Sequence, residues 1–200
     1  ELGAYAYGFS RRTGTDIRIS EDIKNALEKV YRKHKKIDAV VNTAAILKMA
    51  FIETADETTI IDQINTNLIG SINVAKSSIP YLKETHGSLI FFASSSYTRG
   101  RSGYLPYTAS KAALVNFAQG FADEVSHYGI KVNVISPERT DTPLRWKAFG
   151  KEDKKTLLLP KFVALVTLKV ITTDLTGAVI NINKMDEIKY LEKLNAKEWI

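Results

Sequence analysis

The sequence predicts an α/β domain built on a parallel sheet with helices on both faces. Short apolar runs of strand composition alternate along the chain with longer segments that hold apolar residues at helical spacing. The run Leu89, Ile90, Phe91, Phe92 is apolar at successive positions, which suits a strand covered on both sides rather than one with a wet face. At 200 residues, with 44% apolar and 25% charged side chains, the chain fits one domain with a sizeable core.

Taken in order, residues 4–10 alternate small and aromatic side chains and read as a buried strand. Ser20, followed by Glu21 and Asp22, reads as the N-cap of a helix with acids in its first turn. Ile23, Leu27, Val30 and Tyr31 then share one face of it. Residues 37–41 form the next strand and 56–83 a long helical region. Residues 88–94 are the apolar strand noted above, and 107–127 a second long helix that Gly129 stops. Strands at 130–136 and 178–182 follow, then a terminal helix over 185–197. The apolar stretch 157–170 contains Pro160, Lys161 and Lys169 and reads as core, not as a membrane span.

The chemistry concentrates at Tyr107-Thr-Ala-Ser-Lys111. Four residues make about one helical turn, so phenol and ammonium project from one face. A free phenol, with a pKa of about 10, is a poor acid–base catalyst near neutrality, and a lysine beside it favours the phenolate. Ser94 ends the apolar strand, at the carboxyl ends of the strands where parallel sheets bind ligands. A hydroxyl there suits a carbonyl oxygen that gains charge. The spacing to Tyr107 selects Ser94, with Ser95 as the alternative; taken singly, each serine reads as a polar turn residue.

These strings, with several others in order, resemble the short-chain dehydrogenase/reductase family over about residues 1–145. Asp16-Ile17 looks like the family segment that meets the adenine ring. Asn42-Thr-Ala-Ala45 resembles the Asn-Asn-Ala-Gly motif, with Thr43 and Ala45 as departures. Asn67 matches the family's catalytic asparagine. Pro137-Glu-Arg-Thr-Asp-Thr142 matches the segment that walls the nicotinamide, with Glu138 in place of glycine.

The resemblance implies a Rossmann-type doubly wound sheet and an enzyme. Tyr107 would be the general acid, Lys111 would hold the nicotinamide ribose and lower the tyrosine pKa, and Ser94 would orient the carbonyl. Asn67 would hold a relay water, completing a catalytic set of Asn67, Ser94, Tyr107 and Lys111. Cofactor contacts are expected from Ser10, Arg11, Arg12, Asp16, Ile17, Asn42, Ala44, Tyr107, Lys111, Pro137, Thr140 and Thr142. Arginines after the second family strand favour the 2′-phosphate, hence NADP(H), although a solvated turn is the plain alternative.

The family's first strand and glycine-rich phosphate loop should precede residue 1, and residues 1–4 resemble the tail of the helix after that loop. The expectation is therefore one amino-terminally incomplete domain over 1–200 within a longer polypeptide, unable to fold well or bind cofactor tightly alone. Residues 146–176 depart from the family and are expected to face the substrate.

Arg99, Arg101, Arg139 and Arg145 crowd the loops of the site, and planar guanidinium groups suit a phosphate monoester. Ser95, Arg99, Arg139 and Arg145 are the candidate substrate contacts. The strings around them resemble the reductase domains of bacterial bifunctional ribulose-5-phosphate reductase/CDP-ribitol pyrophosphorylases. That resemblance implies reduction of ribulose 5-phosphate, and a cytidylyltransferase domain ahead of the reductase in the parent chain. A homodimer through the two long helices follows by the same analogy.

Three rival readings remain: a reductase of another ketone, a non-catalytic NADP(H) sensor, and a nucleic-acid module suggested by the net charge of +6. The densest basic run, Tyr31-Arg-Lys-His-Lys-Lys36, closes a helix, where cations complement the dipole, and it lacks interleaved aromatics. Zero cysteines exclude disulfides, thiolate metal sites and a cysteine nucleophile; the three histidines are scattered, and no metal site is expected. The sequence shows no signal peptide or spanning stretch, so a cytoplasmic protein without a membrane partner is expected.

Overall fold

The structure is a computed structural model and describes residues 4–195. Four strands, β1 (Ala39–Asn42), β2 (Ser88–Phe92), β3 (Lys131–Pro137) and β4 (Val179–Ile182), lie in the order β1-β2-β3-β4, and every pairing is parallel. Each connection therefore crosses over through helices. The described helices are α1 (Ser20–His34), α2 (Glu57–Ile64), α3 (Gly70–Thr85), α4 (Leu105–Val125), α5 (Pro143–Phe149), α6 (Pro160–Ile171) and α7 (Lys184–Asn195); α2 to α6 make the crossovers, while α1 precedes β1 and α7 follows β4.

The sheet is covered on both faces because its central strands send alternate residues into two cores. Leu89, Phe91, Val132 and Val134 pack with Ile23 and Leu27 of α1, Val74 and Leu82 of α3, and Leu114 and Ala118 of α4. Ile90 and Ile135 face the other way, onto Phe162, Val163 and Val170 of α6. Leu89, Ile90 and Phe91 are wholly inaccessible, as the unbroken apolar run predicts.

Two expectations about the first residues fail. Residues 4–10 form no strand: the pattern supplies alternating side chains, but their backbone groups find no partner strand. Tyr5 is 81% exposed, and the segment instead rests on α1, where Tyr7 and His34 share a 2.7 Å hydrogen bond. Ser20 does not cap α1: the cap is Ile19, and Ser20 is the first helical residue, with its hydroxyl free of any capping bond. Asp22, in the first turn, accepts the Asp16 N–H at 2.9 Å instead.

The long helical region over 56–83 exists but is not uniform. Asp56 caps it by accepting the Thr59 N–H at 3.0 Å, and Asn65–Ile69 form a wider π-helical turn between α2 and α3. The second long helix ends at Val125 and passes into a 3-10 turn over Ser126–Tyr128, which Gly129 closes at φ 71°, a backbone angle that glycine adopts without strain. The terminal helix runs to Asn195. The expected residues 196–197, and the reading of residues 1–3, lie outside the described part. No described helix is long and apolar enough to cross a membrane.

Candidate active site

The carboxyl ends of β1, β2 and β3 open onto a cavity of about 790 Å³. This is where a parallel sheet leaves room for ligands. Ser94 and Ser95 follow β2 and line it; Pro137, Arg139, Thr140 and Thr142 lie at and beyond the end of β3 and line it; Tyr107 and Lys111 reach it from α4. The first turn of α4 begins Leu105-Pro106, where a missing proline N–H costs the helix nothing. Tyr107 and Lys111 then fall one turn apart, as their spacing predicts.

Both side chains are almost fully enclosed, at 7% and 2% exposure. Burial pushes the Tyr107 phenol up to about 12, and the nearby Ser94 hydroxyl draws the value partly back. The expectation that Lys111 lowers this phenol's pKa is not met: its Nζ lies 5.7 Å from the ring centroid and donates instead to the Phe92 carbonyl at 2.6 Å, while burial outweighs the lowering influences. Desolvation lowers the Lys111 ammonium to about 8. Ser94 also caps the short 3-10 turn that follows, accepting from the Ser96 N–H at 3.3 Å and the Ser96 hydroxyl at 3.0 Å.

Asn67 is brought beside the site but does not line the cavity. Sitting in the π-helical turn, its Oδ1 accepts the Ile46 N–H at 2.8 Å, and its Nδ2 donates to the Ile46 carbonyl at 2.9 Å and to Ser110 Oγ at 3.1 Å. Ser110 in turn donates to the Tyr107 carbonyl at 2.7 Å. The expected water-holding side chain is thus a clamp between the loop after β1 and the turn of helix that carries Tyr107. Asn42 is likewise turned inward, donating to Ser71 Oγ at 2.9 Å and accepting the Ala44 N–H at 3.2 Å. Its neighbours Thr43 and Ala45 line the cavity rather than Asn42 and Ala44.

The remaining cofactor candidates, Ser10, Arg11, Arg12, Asp16 and Ile17, lie outside the cavity. Asp16 is held by Arg18 at 2.6 Å, which keeps its carboxyl below the usual carboxylate range. Ile17 packs against Gly70, and Arg11 and Arg12 are exposed in a 3-10 turn. Among the substrate candidates, Arg139 and Ser95 line the cavity and Arg99 does not. Arg145 lines it, but its guanidinium is already engaged: it binds Glu152 through two hydrogen bonds, at 2.6 and 2.8 Å, and lies 4.4 Å from the centre of the Phe149 ring. A carboxylate seven residues away satisfies the same fork that a phosphate would.

Arg101, Tyr104, Phe149, Val163 and Ala164 also line the cavity and were not among the candidate contacts. Arg101 carries the same signal as its neighbours, a guanidinium between Ser94 and Tyr107. The apolar members carry none, because an apolar residue lining a site and one lining a core read alike in sequence.

The residues present fit one end of a nicotinamide dinucleotide. The Tyr107 hydroxyl and Lys111 ammonium are donors suited to ribose oxygens, and Pro137, Thr140 and Thr142 line the same cavity. No glycine-rich phosphate turn occurs among the described residues near the other end.

Comparison with known proteins agrees with this geometry. Over 187 residues, 94% of the chain, the sequence is 43% identical to a bifunctional ribulose 5-phosphate reductase/CDP-ribitol pyrophosphorylase of Haemophilus influenzae, of whose length it spans 40%. It is 31% identical over 175 residues to a 3-oxoacyl-[acyl-carrier-protein] reductase of Thermotoga maritima, covering 82% of the chain and 71% of the relative. It is 33% identical over 138 residues to the glucose and ribitol dehydrogenase homolog 2 of Arabidopsis thaliana, covering 69% of the chain and 47% of the relative. Residues 10–153 match the family described as short chain dehydrogenase, and with the helix-borne Tyr107 and Lys111 beside Ser94 at the strand ends, the chain belongs to that family of nicotinamide-dependent oxidoreductases.

Proposed function

We propose that this chain is the reductase part of an enzyme that uses NADPH to reduce the keto group of a phosphorylated ketose, with ribulose 5-phosphate giving ribitol 5-phosphate. The observation that carries this reading is the pairing of a buried phenol and lysine at one cavity with Arg101 and Arg139 in its lining. Neither arginine makes an ion pair among the described residues, unlike Arg145. Two free guanidinium groups beside a proton donor suit a small anionic carbonyl compound.

Bound NADPH would supply the hydride. The chain's own residues handle the oxygen and the proton. Ser94 holds the carbonyl oxygen by a hydrogen bond that strengthens as charge develops. Tyr107, kept protonated by burial, gives its proton to that oxygen, and the Ser94 hydroxyl and the Arg145 charge, which both draw the phenol's pKa down, steady the phenolate left behind. Tyr107 and Lys111 would hold the nicotinamide ribose, and Pro137, Thr140 and Thr142 would hold the ring. The exposed Arg11 and Arg12 are the reason for choosing the 2′-phosphate of NADPH over NADH.

The Haemophilus relative's name joins this reaction to a CDP-ribitol pyrophosphorylase. On this reading a cytidylyltransferase domain shares the parent polypeptide and carries ribitol 5-phosphate on to CDP-ribitol for capsule or wall polymers. A cytoplasmic homodimer is the proposed assembly.

The test is NADPH oxidation by the complete polypeptide with ribulose 5-phosphate. The parent turns over, and Tyr107→Phe loses about a hundredfold or more in kcat while NADPH still binds. Arg139→Ala raises KM by roughly tenfold to a hundredfold, as expected for a lost hydrogen bond to a charged group. The apolar lining at Leu144, Phe149 and Val163 supports one rival, an acyl thioester such as the Thermotoga relative's name indicates. Turnover of a 3-oxoacyl thioester, indifferent to Arg139→Ala, would establish that rival instead.

A further inference from the structure

The part of the cavity lining that includes Arg139 is built from two lengths of chain outside the regular sheet. The Leu158 N–H donates to the Arg139 carbonyl at 2.8 Å, and the Asp141 N–H donates to the Leu158 carbonyl at 3.0 Å. This short parallel bridge ties the segment after β3 to the segment before α6. Leu158 is wholly buried, so the position of Arg139 depends on whatever holds residues 157–159.

The first turn of α7 holds them. Glu187 is wholly buried; its Oε2 accepts the Leu159 N–H at 3.0 Å and the Lys184 Nζ at 3.1 Å. Lys184 Nζ also donates to the Leu157 carbonyl at 2.7 Å. The two charged groups thus clasp the chain immediately before and after Leu158. Across the same turn, the Lys184 N–H donates to Glu138 Oε2 at 3.3 Å, and the Glu138 N–H to the Ile182 carbonyl at 2.9 Å. Glu138, which stands where the family has glycine, is thereby tied to α7 as well.

Stability is a weak account of this pair. The second carboxylate oxygen, Oε1, is buried with no partner among the described residues, and enclosed charges are costly unless fully satisfied. Apolar side chains of similar volume generally stabilise such a place as well or better. What the charged pair supplies is a fixed geometry for two backbone groups flanking Leu158.

We propose that Glu187, acting through Lys184 and residues 157–159, is a positioning residue for substrate binding that fixes where Arg139 stands. This rests on the reading that Arg139 meets the substrate's phosphate. The experiment compares the complete polypeptide with Glu187→Gln, which keeps an acceptor but removes the charge, and with the double change Lys184→Met and Glu187→Leu, which removes both charges and keeps the bulk. Amide hydrogen exchange is measured without substrate, and kinetics are measured with NADPH and ribulose 5-phosphate. In both variants the Leu158, Leu159 and Asp141 amides exchange roughly tenfold faster while those of β2 and β3 do not change. KM rises roughly tenfold with kcat within about twofold of the parent, and Glu187→Gln adds nothing in an Arg139→Ala background. Unchanged exchange at those three amides, a fall in kcat alone, or a KM effect that multiplies with Arg139→Ala overturns the proposal. If the parent fails to turn over ribulose 5-phosphate, the substrate assignment fails, and the exchange result alone decides the positioning role.

Discussion

An ammonium group enclosed as fully as that of Lys111 is less stable than in water, and its pKa falls from 10.5 to about 8. Because the folded value lies below the unfolded one, the unfolded chain binds the proton more tightly between them. Stability therefore rises with pH across that window, and below about 8 the molecule carries the whole cost, roughly 3 kcal/mol. Lys111→Met should raise the urea midpoint at neutral pH, with the gain shrinking to nothing by a pH of about 10.5. An equal gain at both ends would assign the effect to packing rather than charge. That Tyr107, Lys111 and Ser94 meet at one cavity was legible because one turn of helix and one strand end set their relation within a short stretch of chain. Their burial was not, since it depends on distant segments such as 43–47 and 157–164. Arg145 shows the same limit: the sequence displays its guanidinium but not that Glu152 has taken it.

Helix α4 contains one glycine and is followed by another, and the two are expected to respond oppositely to the same change. Gly120 lies on the exposed face, with open space where an alanine methyl would point, so Gly120→Ala should stabilise by about 0.5–1 kcal/mol through helix propensity. Gly129 combines φ 71° with a position where an added Cβ would run into the His86 ring. Gly129→Ala should cost about 1–3 kcal/mol, and thermal unfolding of the two variants checks both signs. Five of the helices and the four strands of the sheet were readable from periodicity to within a few residues, because each buries a continuous face, whereas α5 was not read at all and the stretch that forms α6 read only as core. Residues 4–10 were misread for a related reason: alternation describes side chains, whereas a strand also needs a neighbour for its backbone. The π-helical turn at Asn65–Ile69 left no pattern in the residues, since Asn67 and Ser71 bind it to the loop and strand end at β1.

At the scale of the molecule, the excess of positive charge should draw an anionic substrate toward the cavity. For a phosphorylated ketose, kcat/KM is expected to fall several-fold as salt rises from about 0.05 to 0.5 M, with kcat steady. A salt-independent kcat/KM would confine the effect of the arginines to the bound complex. The sheet itself carries a different consequence. Strand β2 gives Leu89 and Phe91 to one core and Ile90 to the other, so neither hydrophobic layer owns its own floor. Loosening either side withdraws support from the strand that the other side stands on. The protein should therefore have no half-melted form: reporters placed on opposite faces of the sheet should lose their signals at one temperature, as a single cooperative event.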